Sequence, residues 1–146
     1  MKEYEIAREM MHQMLRTRMA FRQALQRILK RNNVDMTFEM LQVMSILWQQ
    51  QGLSQQTLAE KTAKDKACMT NLMNNLEKKG WVTRREDSAD RRNRMVYLTA
   101  EGERMNDSVR PLIIDLYSKT IEGMGSDEIR SCINQLNKWD EILNQL

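Results

Sequence analysis

Apolar residues recur at helical spacing along most of the chain, and the places where that spacing fails divide it into elements. From about Glu3 to Arg31 there is neither Gly nor Pro, and Ile6, Met10, Met14, Phe21, Leu25, Ile28 and Leu29 predict one long helix. Asn32, Asn33, Val34 and Asp35 form a turn. Thr37 then offers a hydroxyl cap to a helix running to about Gln50, with Met40, Leu41, Met44, Leu47 and Trp48 inward and Gly52 at its end. Ser54 caps a short helix over 55–61, and Asp65 caps another that begins at Lys66. In this second short helix Met69, Leu72, Met73 and Leu76 share a buried face, while Lys66, Ala67, Thr70, Asn71 and Asn74 point elsewhere. Lys78, Lys79 and Gly80 are the cations and glycine that end a helix.

Two β-rich arms follow, Trp81 to Thr83 and Met95 to Thr99, around a charged tip from Arg84 to Arg94, which predicts a hairpin. Thr99 caps a long helix to about Glu122, bent or loosened near Pro111, with Val109, Leu112, Ile113, Leu116, Tyr117 and Ile121 on its apolar side. Gly123 and Gly125 interrupt it, and Ser126 opens a last helix to about Asn144. That helix carries a wide stripe of Ile129, Cys132, Ile133, Leu136, Trp139, Ile142, Leu143 and Leu146. So apolar a terminal helix calls for a partner, and the N-terminal helix of a second subunit, with Ile6 and Met10, is the partner expected.

Helix, turn, helix and hairpin in this order describe a winged helix, a helix-turn-helix variant whose second helix enters the major groove of DNA. The fold class is mainly α with a small β-hairpin wing. Charge sharpens the reading. The 146 residues total only +3, yet Lys78 to Arg94 holds seven basic and three acidic residues, a local +4. An arginine-rich tip repels itself unless solvated or facing an anion, and phosphate suits it best. The N-terminal helix adds eight basic against three acidic residues, and the segment after Arg94 carries five against nine, so acid and base are set to meet within a subunit or across a dimer, unless both faces are simply solvated.

These residues resemble the MarR-type multiple antibiotic resistance regulators. The most specific part is the wing, where Asp90, Arg92, Leu98, Thr99 and Gly102 stand in the family's order; the run from Leu76 to Val82 also resembles its helix end and first wing strand. The resemblance implies a homodimer of winged helices (37–99 in a single domain of 146 residues) on a helical dimerisation region (1–31 and 100–146). It also implies transcriptional control released by small aromatic or phenolic ligands. Arg92 would enter the minor groove, Asp90 would hold Arg92 or Arg94, and Arg84, Arg91 and Arg94 would face the DNA. Lys66, Ala67, Thr70, Asn71 and Asn74 would lie along the bases, and Ser54, Gln55 and Thr57 near phosphate. The family's ligand pocket corresponds to Met14, Met40, Met44, Trp48 and Tyr117, with His12 and Arg16 as further candidates, although core filling accounts for the methionines as well. Dimer contacts fall to Ile6, Met10, Ile129, Ile133, Leu136, Trp139 and Leu143. Two departures stand out: Ala63 and Lys64 occupy the turn where the family has Gly and an apolar residue, and Ala67 and Cys68 stand where small hydroxyl residues are frequent. Ala in a left-handed turn position is strained by roughly 1 kcal/mol.

Composition argues against other classes. His12 is the only histidine, and no Ser, His and acid grouping, metal-ligand cluster or glycine-rich phosphate loop is visible, so neither catalysis nor a metal or other cofactor is expected. With charged residues in its first ten positions and no apolar run of the ~18–20 residues that span a bilayer, the chain is expected in the cytoplasm, its two cysteines as free thiols. Two alternatives stay open: a repressor that senses oxidation through Cys68, and a winged helix that binds an acidic protein instead of DNA.

Overall fold

The computed structural model describes every residue except Arg91. Among the described residues nine elements follow one another: α1 (Glu3–Arg31), α2 (Phe38–Gln49), β1 (Leu53–Ser54), α3 (Gln55–Lys61), α4 (Lys66–Lys78), β2 (Val82–Glu86), β3 (Arg94–Leu98), α5 (Ala100–Met124) and α6 (Ser126–Asn144). The expected helices are all present. The caps form as their residue types dictate: the Thr37 hydroxyl accepts from Met40 N at 3.2 Å, and the Thr99 hydroxyl accepts from Gly102 N at 3.1 Å. Ser126 is instead the first helical residue of α6, and Gly125, at φ 89°, precedes it as a cap with no side chain to offer. α5 runs through Pro111 as one helix.

The sheet is antiparallel in the order β1-β3-β2, and this changes the expected hairpin in two ways. Leu53 and Ser54 pair with Val96 and Met95 as a third strand. β2 also extends through Arg84 and Arg85 to Glu86, which faces Arg94, so those two arginines belong to a strand and the tip shortens to residues 87–93. Gly52 N donates to Val96 O at 3.1 Å, starting the pairing at a φ of 74° that glycine adopts without strain.

The chain forms two compact units, Met1–Arg110 and Pro111–Leu146. The first holds the core: Leu29, Met44, Leu47, Leu58, Met69, Met73, Leu76, Val43, Val96 and Val109 are all essentially sealed from solvent. Burying side chains of this size contributes about 1.5–3 kcal/mol each. Arg22 bridges α1 to α2 by donating to Glu39 at 3.0 and 2.7 Å. Burial raises the Glu39 pKa, but the hydrogen bond and charge of Arg22, a backbone bond and the more distant Lys64 outweigh it, leaving the group below the ordinary carboxylate value. In the second unit α6 has no buried residue, and Ile133 and Leu143 are 52% and 47% exposed.

Candidate nucleic-acid interface

α4 is held at both ends by chemistry written into the sequence. Asp65 Oδ1 accepts from Cys68 N at 2.7 Å at its start. At its end Gly80 turns left-handed at φ 76°, and Trp81 N donates to Leu76 O at 3.1 Å, the six-to-one bond of a Schellman stop. Met69, Leu72, Met73 and Leu76 are buried. Lys66, Ala67, Asn71 and Asn74 are exposed and Thr70 is half-buried, so the helix presents a short-chained polar face.

The turn before α4 carries Ala63 at φ 53°, the strained geometry expected of this residue there. Two bonds hold it: the Thr62 hydroxyl donates to Leu58 O at 2.7 Å, and Lys64 Nζ donates to Gln42 Oε1 at 2.8 Å. At the start of α3, Ser54 Oγ accepts from Thr57 N at 3.0 Å and donates to Thr57 Oγ1 at 2.8 Å, so these two hydroxyls serve the cap. Gln55 reaches across to α4, its Nε2 donating to Thr70 Oγ1 at 3.1 Å.

At the tip of the wing Asp90 Oδ1 accepts from Arg92 N at 3.0 Å and lies 4.0 Å from Arg92 Nε, so Asp90 shapes the turn that presents Arg92, whose side chain is 97% exposed. Asn93 N donates to Asp90 O and Asp87 N to Asn93 O, closing the tip on itself. Arg94 is exposed, and Arg85 stacks over the Tyr97 ring at 4.8 Å. Arg91 lies outside the described residues. Arg84 differs from its neighbours, because its side chain is only 14% exposed and its guanidinium bonds Glu77, Asn74 and Gln55.

Between α3, α4 and the wing runs an open groove of about 890 Å³. Its lining unites Gln55, Lys66, Thr70, Asn74, Arg84, Arg92 and Arg94 from the expected set with Gln56, Ala59, Glu60, Lys64 and Asn93, which were not expected. Among the described residues of its lining five are cationic and one, Glu60, is acidic, which favours an anion. Gln56, Ala59 and Glu60 follow Gln55 on α3 at helical steps, a signal present in the sequence once α3 is known to flank the groove.

The remaining expected residues lie elsewhere. Met40 and Met44 are buried and Met14 and Trp48 half-buried in the first unit, where Trp48 Nε1 donates to Gly102 O at 2.9 Å; Tyr117 is half exposed in the second. His12 is exposed on α1, and Arg16 donates to Glu9 and Gln13. Of the expected dimer contacts, Ile6 is 58% exposed, and Met10, Ile129, Leu136 and Trp139 are half-buried. Among the described residues no three His, Cys, Asp or Glu stand together as metal ligands, and no helix is long and apolar enough to cross a membrane.

A short helix, a strained turn, a capped probe helix and a cationic hairpin around one groove define a winged helix-turn-helix protein. Residues 37–93 match the model of the MarR family. It is 35% identical over 78 residues to the transcriptional regulator HosA of Escherichia coli O127:H6, an alignment covering 53% of this chain; the chain spans only 58% of the length of that relative. Among solved structures it is similar to NadR in complex with 4-hydroxyphenylacetate, at 25% identity and TM-score 0.73 over 86% of this chain and 88% of that one. It also shares its fold with AbfR of Staphylococcus epidermidis, at 19% identity and TM-score 0.84 over 99% and 97% of the two chains, and with reduced AbfR bound to DNA, at TM-score 0.78 over 97% and 96%.

Proposed function

We propose that this protein is a sequence-specific, double-stranded-DNA-binding transcriptional repressor that acts as a homodimer and is released by a small aromatic ligand. One observation carries the reading: Arg92, held out at the wing tip by Asp90, stands across an open cationic groove from the polar outward face of α4. α4 fits the major groove, where Lys66, Thr70 and Asn71 reach base edges, Ala67 offers a methyl contact, and Asn71 can pair bidentately with adenine. Arg92 fits the narrow minor groove beside it, where negative potential favours a guanidinium. The fold shared with DNA-bound AbfR supports this docking.

A dimer places two such heads on successive turns of one face of the duplex, so the operator is a near-palindrome with half-sites ~10 bp apart, and occupancy of a promoter lowers transcription. The exposed apolar residues on α1 and α6, Ile6 and Ile133 among them, support self-association. The aromatic effector is supported by the likeness to NadR with its 4-hydroxyphenylacetate. The test is selection of bound fragments from random duplex DNA, followed by affinity measurement across a salt series. Affinity should fall log-linearly, by roughly 10³ or more between 50 and 200 mM salt. Salicylate or 4-hydroxyphenylacetate, titrated into the complex, should release the DNA. Absence of any duplex binding in dilute buffer rejects the whole reading; binding that no aromatic acid weakens rejects only the effector.

A further inference from the structure

Strand parity turns Arg84 inward. Side chains alternate along a strand, so Val82 and Arg84 share one face of β2, and Arg84 is paired with Val96, which is fully buried. Arg85, one residue on, takes the opposite face over Tyr97. A guanidinium with 14% of its side chain exposed must find acceptors or bear a large desolvation cost, and it finds three. Nε donates to Glu77 in the last turn of α4, Nη2 donates to Asn74 Oδ1 at 2.7 Å, and Nη1 donates to Gln55 Oε1 at 3.4 Å. One side chain thus joins the wing to both helices of the helix-turn-helix.

The consequence lies in the amides. Arginine has donors only, so an amide facing it must turn its oxygen inward. Asn74 is exposed at the groove, and with Oδ1 turned to Arg84 its NH2 is the edge left for a ligand. Gln55 is fixed in the same sense, its oxygen toward Arg84 and its NH2 committed to Thr70. An asparagine free to rotate can pair bidentately with adenine through oxygen and nitrogen together, whereas one whose oxygen is engaged offers its NH2 and favours guanine, with acceptors at both O6 and N7, or thymine O4 over adenine, whose N7 acceptor lies beside the N6 donor.

We propose that Arg84 is a specificity-positioning residue: it does not contact DNA but orients Asn74 so that this residue reads a hydrogen-bond acceptor in the major groove. The proposal rests on the DNA-binding reading above. Its test uses the full-length protein, a duplex recovered from a random library with the wild type, and a scrambled duplex of the same composition. The charge-neutral double variant Arg84→Met with Glu77→Gln removes the ion pair without changing net charge. It should lose about tenfold or more in preference for the selected duplex while keeping the wild-type salt slope, and renewed selection should admit adenine at one position of each half-site. Arg84→Lys keeps the cation but not the fork that spans three acceptors, so it should show the same loss of preference with the same slope. A slope lowered by about one per protomer, with both duplexes weakened alike, would mean that Arg84 holds a phosphate and would overturn the proposal. Unchanged preference in both variants would also overturn it. Thermal unfolding of each variant separates these outcomes from misfolding, since a merely structural role lowers the melting temperature and leaves preference and base choice intact. Failure of the wild type to bind either duplex would instead refute the DNA-binding reading.

Discussion

Gly102 is the point where the first turn of α5 meets the sheet, and replacing it by alanine sets two opposing effects against each other. A helical Gly→Ala change normally stabilises by about 1 kcal/mol, because alanine orders more cheaply. Here the added methyl would stand 2.1 Å from Trp81 O, 3.0 Å from Trp81 C and 3.2 Å from Leu98 Cδ2. The obstacle is backbone, and that backbone is engaged: Trp81 O accepts from Thr99 N at 3.0 Å, and Gly102 O accepts from Trp48 Nε1 at 2.9 Å. Relief requires a shift of roughly 1 Å between α5 and the β2 entry, which combines an overpacking cost of ~1–3 kcal/mol or more with a hydrogen bond worth about 0.5–1.5 kcal/mol. The net loss should be roughly 2–3 kcal/mol, a fall of roughly 5–10 °C in melting temperature for a chain of this length. Urea unfolding followed by circular dichroism measures it directly. Gly123→Ala is the internal control, because nothing lies within 4 Å of its added methyl and it sits in the same helix, so it should gain a few tenths to 1 kcal/mol. If Gly102→Ala unfolds at the same urea concentration as wild type or higher, the close approach of α5 to Trp81 is not a constraint and the argument fails.

Three further outcomes are expected. Ala63→Gly removes the left-handed strain at φ 53° but loosens the unfolded chain, so it should stabilise by up to ~1 kcal/mol, and a destabilised variant would show that the turn is not under strain. Glu39 has its pKa lowered in the folded state despite burial, chiefly through Arg22; its contribution is therefore fully present above the ordinary glutamate range and is lost as pH falls through the lower folded value. Melting curves between about pH 6 and pH 3 should show that loss, with a shallower dependence in Glu39→Gln; parallel curves would exclude it. Arg92→Ala should weaken binding to selected and scrambled duplexes alike and reduce the salt slope by about one per protomer, and an unaltered slope at physiological salt would remove Arg92 from the interface.

What could be read from the sequence was whatever depends on near neighbours. Thr37, Ser54, Asp65 and Thr99 each cap the helix that follows because a cap needs only a short acceptor and an amide three residues on. The inner face of α4 follows from spacing alone, and the strain at Ala63 follows from its place in the turn. The two-residue strand β1 has no periodicity of its own; only Val96, some forty residues later, makes it a strand. The demand on Gly102 depends on how closely α5 approaches Trp81, which no local pattern records.

The arginines show where the boundary falls. Residue type alone places Arg84, Arg92 and Arg94 in one cationic tip, but the lengthened β2 divides them. Parity within the strand sends Arg84 toward Glu77 and Asn74, while the Asp90 turn sends Arg92 into solvent. The alternation of Val82, Thr83 and Arg84 becomes informative only once β2 is known to continue through Arg84 to Glu86, and a charge on its apolar face then requires an acid. Glu77, seven residues earlier on the preceding helix, is that acid, but the angle between α4 and β2 that brings it there exists only once the core of Met73, Leu76 and Val82 has formed. In this wing the register of β2 turns Arg84 inward and leaves Arg92, beyond the paired strands, open to an external anion. The tip, which lies beyond the paired strands, is therefore the place to look for such contacts, and the inward positions of β2 are the place to look for residues that set how the neighbouring helix reads its ligand.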